Sequence, residues 1–224
     1  MTWDAVDESG TLTAPPSLDA DAHALFLDLD GTLFHICPRP EDVVADPALS
    51  ALLRDVSARL GGAMAILTGR PIAEADRLLE GSAPCVAGLH GLEVRHGERI
   101  ERARADLSGL EAGRKRISAL FPGGALDPRV EDKGRAIALH YRHAPAQADR
   151  IIEAADDIAA RFGLRVIHGK MVSELMPAGP NKGDVLKALL GAAPFLGRTP
   201  VAIGDDVTDE AAFGAANACG GISI

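Results

Sequence analysis

The run Leu27-Asp28-Leu29-Asp30-Gly31-Thr32-Leu33 constrains this chain more than any other segment. It continues the apolar stretch Ala24-Leu25-Phe26-Leu27, which reads as a buried strand. Two carboxylates two residues apart on an extended backbone point to the same side. Gly31 lets the chain turn sharply just past them. The pair therefore sits at the carboxyl end of a core strand, where open α/β sheets collect their ligands. One such carboxylate can attack phosphorus or hold a cation, and the other can move a proton to or from a leaving oxygen.

The rest of the first half alternates in the same style. Leu49, Leu52, Leu53, Val56 and Leu60 recur at helical spacing, and Gly61-Gly62 stops that helix. Met64-Ala65-Ile66-Leu67 reads as a second apolar strand, ending in Thr68-Gly69-Arg70. Pro71 suits the first turn of a helix running through Leu79, and Pro84-Cys85-Val86-Ala87 reads as a further core strand. This β-α-β-α-β order predicts a parallel sheet with right-handed crossovers. Near the end, Pro180-Asn181-Lys182-Gly183 places a lysine at a helix start. Val201-Ala202-Ile203 is a last core strand, ending in Gly204-Asp205-Asp206-Val207-Thr208-Asp209-Glu210.

The middle of the chain reads differently. A hairpin is predicted around Gly97, from Glu93–His96 and Arg99–Arg102, then a helix from about Leu110 to Phe121. Ala136 to Arg142 alternates, with Ile137, Leu139 and Tyr141 on one face and Ala138, His140 and Arg142 on the other. Ile151, Ile152, Ala155, Ile158, Ala159 and Phe162 mark an amphipathic helix. Short strands follow at Leu164–His168 and Val172–Leu175. The expected organisation is α/β, with a flexible segment over 1–22, a core from 23–94 and 178–224, and an inserted α+β domain over 95–177. The terminal Gly220-Gly221-Ile222-Ser223-Ile224 reads as the beginning of one more strand.

At 224 residues, with 47% hydrophobic side chains, the chain can bury a sizeable core. Its 23 basic and 32 acidic residues leave a net charge of −9 and no basic run, which argues against nucleic acid or an anionic membrane surface as partner. An anionic substrate then needs local cations such as Arg70 and Lys182. Cys37, Cys85 and Cys219 have no CxxC spacing and read as reduced thiols. There is no basic, apolar leader and no bilayer-length apolar run, so a cytoplasmic protein is expected. No GxxxxGK[ST] segment is present, which excludes a P-loop.

Taken in order, the Asp28 run, Thr68-Gly69-Arg70, Lys182 and Gly204–Glu210 resemble the four motifs of the haloacid dehalogenase-like (HAD) phosphatases. The resemblance implies a Rossmann-like core with an inserted cap and Mg²⁺ as cofactor. Asp28 would be the nucleophile that forms an aspartyl-phosphate. Asp30 would protonate the leaving alcohol and then activate water. Mg²⁺ would be held by the Asp28 carboxylate, the Asp30 carbonyl and Asp205, with Asp206 and Asp209 supporting the metal or binding it through water. Thr68 would hydrogen-bond the phosphoryl oxygens, Lys182 would neutralise their charge, and backbone N–H groups around Gly69 would add donors. Read without the resemblance, Asp206 and Asp209 serve equally as helix caps. Arg70 stays open between phosphate, substrate and an ion pair, and His90 between a loop residue and a site wall.

The inserted region has its own signature. Val130-Glu131-Asp132-Lys133-Gly134, Leu139-His140-Tyr141-Arg142 and Gly169 to Pro177, leading to Asn181-Lys182-Gly183, look like the trehalose-6-phosphate phosphatases. That resemblance implies hydrolysis of trehalose 6-phosphate, a small-molecule sugar phosphate, as the last step of trehalose formation. Glu131, Lys133, Lys170 and Glu174 would grip the distal glucose, with Arg142 and Asn181 among the substrate contacts. Paired acids and amines suit adjacent sugar hydroxyls; the alternative is two surface ion pairs of little worth. A monomer is expected, with a trehalose-6-phosphate synthase as candidate partner. The competing readings are a phosphatase for another sugar phosphate, of the sucrose-phosphate or mannosyl-phosphoglycerate type, and a non-catalytic sugar-phosphate sensor.

Overall fold

The computed structural model describes residues 17–224. Along the chain these form β1 (His23–Leu27), α1 (Pro47–Arg59), β2 (Met64–Leu67), α2 (Ile72–Leu79), β3 (Cys85–Gly88), β4 (Glu93–His96) and β5 (Arg99–Arg102). Then come α3 (Ser108–Leu120), β6 (Arg129–Asp132), β7 (Ile137–His140), α4 (Ala148–Phe162), β8 (Leu164–Gly169) and β9 (Val172–Pro177). The chain closes with α5 (Lys182–Leu190), β10 (Thr199–Ile203), α6 (Glu210–Ala218) and β11 (Ile222–Ser223). Two compact units result, one of 17–102 with 180–224 and one of 103–179.

The first unit is built on a seven-stranded sheet of order β11-β10-β1-β2-β3-β4-β5. The five strands from β11 to β3 are parallel and the hairpin β4–β5 is antiparallel. Parallel strands covered on both faces read as continuous apolar runs, and all four residues of β2 are buried. Phe26 of β1 stacks on Phe195 at 5.5 Å between ring centroids. From β1 the chain steps one way to β2 and β3 and later returns on the other side as β10 and β11. The strand order therefore reverses between β1 and β10, and such a switch point opens a crevice at the carboxyl ends of the strands.

Local chemistry fixes the helices that matter here. Asp46 caps α1 by accepting from the N–H groups of Ala48 and Leu49 ahead of Pro47. Asn181 and Asp184 form a reciprocal capping box on α5. Helix α2 is capped from outside: the buried Glu93 carboxylate of β4 accepts the Ile72 N–H at 2.8 Å. Pro71 itself is extended (ψ 147°), so α2 begins at Ile72, not at the proline.

The second unit has a four-stranded antiparallel sheet, β6-β7-β9-β8. Ile137, Leu139, Tyr141 and Leu175 pack with Leu110 and Ile117 of α3 and Ile151, Ala155 and Ile158 of α4, the face the alternation of Ala136–Arg142 predicts. Strand β6 carries no apolar alternation and is visible only through its pairing with β7. The hairpin β4–β5 extends the first unit's sheet, so the second unit begins at residue 103 instead of 95. Backbone pairing of β4 with β3 decides this, and hairpin sequences carry no mark of which sheet they join.

The expectation of a loose segment over 1–22 lies, for 1–16, outside the described residues. From Asp19 the chain is tied down: the His23 N–H donates to the Asp19 carbonyl, and Arg198 donates to the Ala20 carbonyl. Among the described residues no helix is long and apolar enough to cross a membrane. The cysteines are free thiols, and burial pushes the Cys85 thiol up to about 12, with Arg95 pulling it back.

Candidate active site

Asp28 follows β1 directly, and its N–H donates to the Ile203 carbonyl at the end of β10. Its carboxylate is buried and accepts a 2.7 Å hydrogen bond from Lys182 Nζ. The same ammonium donates to Asp209 Oδ1 at 2.7 Å. Lys182 is the first residue of α5 and is 2% exposed, so its charge is delivered to two carboxylates away from water. Burial pushes the Asp28 carboxyl up to about 6; Lys182 draws it down and Asp209 pushes it up. Burial draws the Lys182 ammonium down, but the two carboxylates outweigh it and the net shift is upward.

Asp205 lies beside this group. Single oxygens of Asp28, Asp205 and Asp209 come within 4.8 Å of one another. The placement depends on Gly31, which adopts φ +99° and whose missing Cβ leaves room for the Asp205 carboxylate. Two acids against one ammonium leave a local negative balance before Asp205 is added. A cluster of hard carboxylate oxygens suits a small divalent cation such as Mg²⁺, so the residues present fit one.

Asp206 and Asp209 have visible structural work. Asp206 accepts from the Val207 N–H, and Asp209 Oδ2 accepts from the N–H groups of Asp205 and Asp206 at 3.1 Å each. Asp209 thus shapes the loop that carries Asp205 while also holding Lys182, and Asp206 stands outside the carboxylate cluster. A Cβ on Gly204 would collide with the Asp209 side chain, which explains the glycine before the acids.

On the other flank, Thr68 ends β2 and is 1% exposed, its hydroxyl accepting the Arg70 N–H at 3.1 Å. The Arg70 guanidinium forks onto the Asp30 carboxylate, with two contacts of 2.7 Å. This fork is the ion pair among the readings open for Arg70. Asn181 Oδ1 accepts from the N–H groups of Gly183 and Asp184, so that oxygen serves the helix. His90 is buried at φ +56°, and its ring lies where a Cβ on Gly69 would go, which makes it a wall of the Thr68–Arg70 loop.

In the second unit, Glu131 and Glu174 share a cross-strand row through Ala138. Lys133 Nζ donates to Glu174 Oε1 at 3.2 Å, and Glu131 Oε2 meets His140 Nε2 at 2.7 Å. Burial raises the Glu131 carboxyl, but His140 and Lys133 outweigh it and hold the group below the usual range. Arg142 donates to the backbone carbonyl of Lys170. His140 belongs to this cluster, and its one local signal is its place on the polar face of β7.

Residues 26–223 match the Trehalose-phosphatase family. The chain is 44% identical to a probable trehalose-phosphate phosphatase of Sinorhizobium fredii over 213 residues, covering 93% of this chain and 79% of that protein. It is 37% identical to the trehalose-6-phosphate phosphatase of Escherichia coli over 218 residues, covering 95% and 80%. The C-terminal domain of the Candida albicans trehalose-6-phosphate phosphatase superposes with a TM-score of 0.76 at 23% identity, covering 91% of this chain and 79% of that one, and shows the fold to be the expected HAD-like one. A match that runs through both units joins the acid-lined switch point and the inserted sheet in one ancestry: the chain belongs to the trehalose-phosphatase family of phosphoric monoester hydrolases.

Proposed function

We propose that this chain hydrolyses trehalose 6-phosphate to trehalose and phosphate, the last step of trehalose formation, through an aspartyl-phosphate on Asp28. The observation that carries the reading is the buried Asp28–Lys182–Asp209 group with Asp205 beside it, at the point where the strand order reverses. A carboxylate held at 2.7 Å by a lysine and facing a cation-ready cluster is equipped to attack an anionic phosphoryl group.

In the first step an Asp28 oxygen bonds to phosphorus and the ester P–O bond breaks. Asp30 gives its proton to the departing sugar oxygen. In the second step Asp30 takes a proton from water, whose oxygen displaces the Asp28 carboxylate and leaves as phosphate. Lys182 offsets charge on Asp28 and the phosphoryl group. The Thr68 hydroxyl and backbone N–H groups at Gly69 hold the phosphoryl oxygens. The carboxylates of Asp28 and Asp205 and the Asp30 carbonyl would hold Mg²⁺, which would supply positive charge to offset that of the phosphoryl group. Asp209 and Asp206 keep that loop in place. In the inserted unit, acting as a cap, Glu131, Lys133 and Glu174 grip the distal glucose, with Lys170 in the β8–β9 turn and Arg142, which follows β7 and donates to the Lys170 carbonyl.

Phosphate release across trehalose 6-phosphate, sucrose 6-phosphate and glucose 6-phosphate, with Mg²⁺ and with chelator, tests this. Mg²⁺-dependent turnover confined largely to trehalose 6-phosphate is expected. Preference for another ester, or turnover unaffected by chelation, would overturn the substrate or the metal assignment respectively.

A further inference from the structure

Arg70 is the most heavily engaged cation near the site that the proposed chemistry leaves without a task. Its side chain is 7% exposed, and Nε and Nη2 donate to the two oxygens of Asp30 at 2.7 Å each. On the opposite edge Nη1 donates to the Pro40 carbonyl at 3.1 Å and to Glu74 Oε2 at 3.4 Å. The planar group is therefore pinned from two sides, by the loop after β1 and by the first turn of α2. A side-on fork sets both the position and the plane of a carboxyl group, which a lysine point charge does not.

From this geometry we infer that Arg70 is a positioning residue for Asp30. It aims the carboxyl that serves the leaving oxygen, and does not act as a ligand of the phosphoryl group. The inference rests on the proposed role of Asp30 as general acid. Asp30 needs the help: it precedes Gly31 at φ +99°, its side chain is 35% exposed, and the fork is its link to a buried partner. One carboxyl oxygen is enough to pass a proton to the departing sugar oxygen as the P–O bond breaks, so the other can stay on the guanidinium.

The consequence is a dependence on leaving group. A sugar alkoxide must be protonated as it departs, whereas 4-nitrophenolate leaves without a proton. Leaving-group release in the first turnover is measured by rapid quench for trehalose 6-phosphate and 4-nitrophenyl phosphate, on the full chain and on Arg70→Lys, Glu74→Gln and Asp30→Asn. Arg70→Lys is expected to slow trehalose release about 100-fold and 4-nitrophenolate release less than about threefold, the range one general acid contributes. Glu74→Gln, at a half-exposed position behind the fork, should shift the ratio the same way by several-fold, and it reads the effect even if the buried Arg70 variant folds poorly. Equal losses on both esters in Arg70→Lys, or no shift of the ratio in Glu74→Gln, would overturn the positioning role. Asp30→Asn separates the two levels: equal losses there would overturn the general-acid reading itself, while a split there without one in Arg70→Lys would overturn only the part assigned to Arg70.

Discussion

The carboxylate of Asp205 lies where a side chain on Gly31 would have to go. The turn that ends the Asp28–Asp30 pair and the acid at the end of β10 are thus cut to fit each other, 174 positions apart in the sequence. Gly31 also adopts φ +99°, which side chains resist. Gly31→Ala should displace Asp205 by the width of a methyl group and lower phosphate release roughly 100-fold. Strain of about 1–3 kcal/mol should appear in denaturant unfolding. Near-normal turnover in a folded Gly31→Ala protein would show that Asp205 does not need its observed place.

Metal affinity should depend on pH in one direction. Without metal, burial raises the Asp28 carboxyl from 3.8 to about 6, so the folded protein keeps that proton up to near pH 6. A cation needs the carboxylate, so protons compete with it below the raised value and not above it. Calorimetric Mg²⁺ affinity should be flat above about pH 7 and fall towards tenfold per unit below about pH 6. Chelation should accordingly lower the melting temperature more at about pH 7.5 than at about pH 5. Affinity that stays constant through this range would place the metal elsewhere.

Glu93 should matter for stability. Its buried carboxylate satisfies the first N–H of α2 from a neighbouring strand, and α2 carries the Glu74 that backs Arg70. Glu93→Ala should cost about 1–2 kcal/mol in urea unfolding, because a buried donor loses its acceptor. Glu93→Gln, which keeps an acceptor oxygen, should cost less than about half of that. Equal costs for the two would point to charge as the cause.

The cluster on the inserted sheet should govern substrate choice. Glu131→Ala removes the contact to His140, and Lys133→Ala removes the one to Glu174. Each should lower kcat/KM for trehalose 6-phosphate by about 10- to 100-fold while 4-nitrophenyl phosphate changes less than about threefold, as expected of polar groups that recognise hydroxyls. Equal losses on both esters would reduce these residues to structural ion pairs.

Much of the candidate site is legible in the sequence because strand ends and glycines announce themselves locally. Asp28 and Asp205 each follow an apolar run, and Thr68-Gly69-Arg70 ends another. What the sequence left open were pairings between distant segments. Arg70 is ambiguous in sequence because its partner Asp30 lies 40 residues away. Asp209 could be a cap or a metal neighbour, and in the fold it shapes the Asp205 loop and holds Lys182 at once. His140 faces Glu131 through the β6–β7 register, and β6 lacks the alternation that marks a strand in sequence. The boundary expected at 95 cuts through the β4–β5 hairpin because nothing local says which sheet a hairpin will extend.

The account stands on Asp28 becoming phosphorylated during turnover. Rapid acid quench with trehalose 6-phosphate, followed by peptide mass spectrometry, measures this most directly. A phosphoryl group on Asp28 that forms within the first turnover, decays as free phosphate appears, and is absent from an inactive but folded Asp28→Asn protein is the predicted result. Turnover that persists in Asp28→Asn, or a phosphoryl group found on another residue, would contradict it.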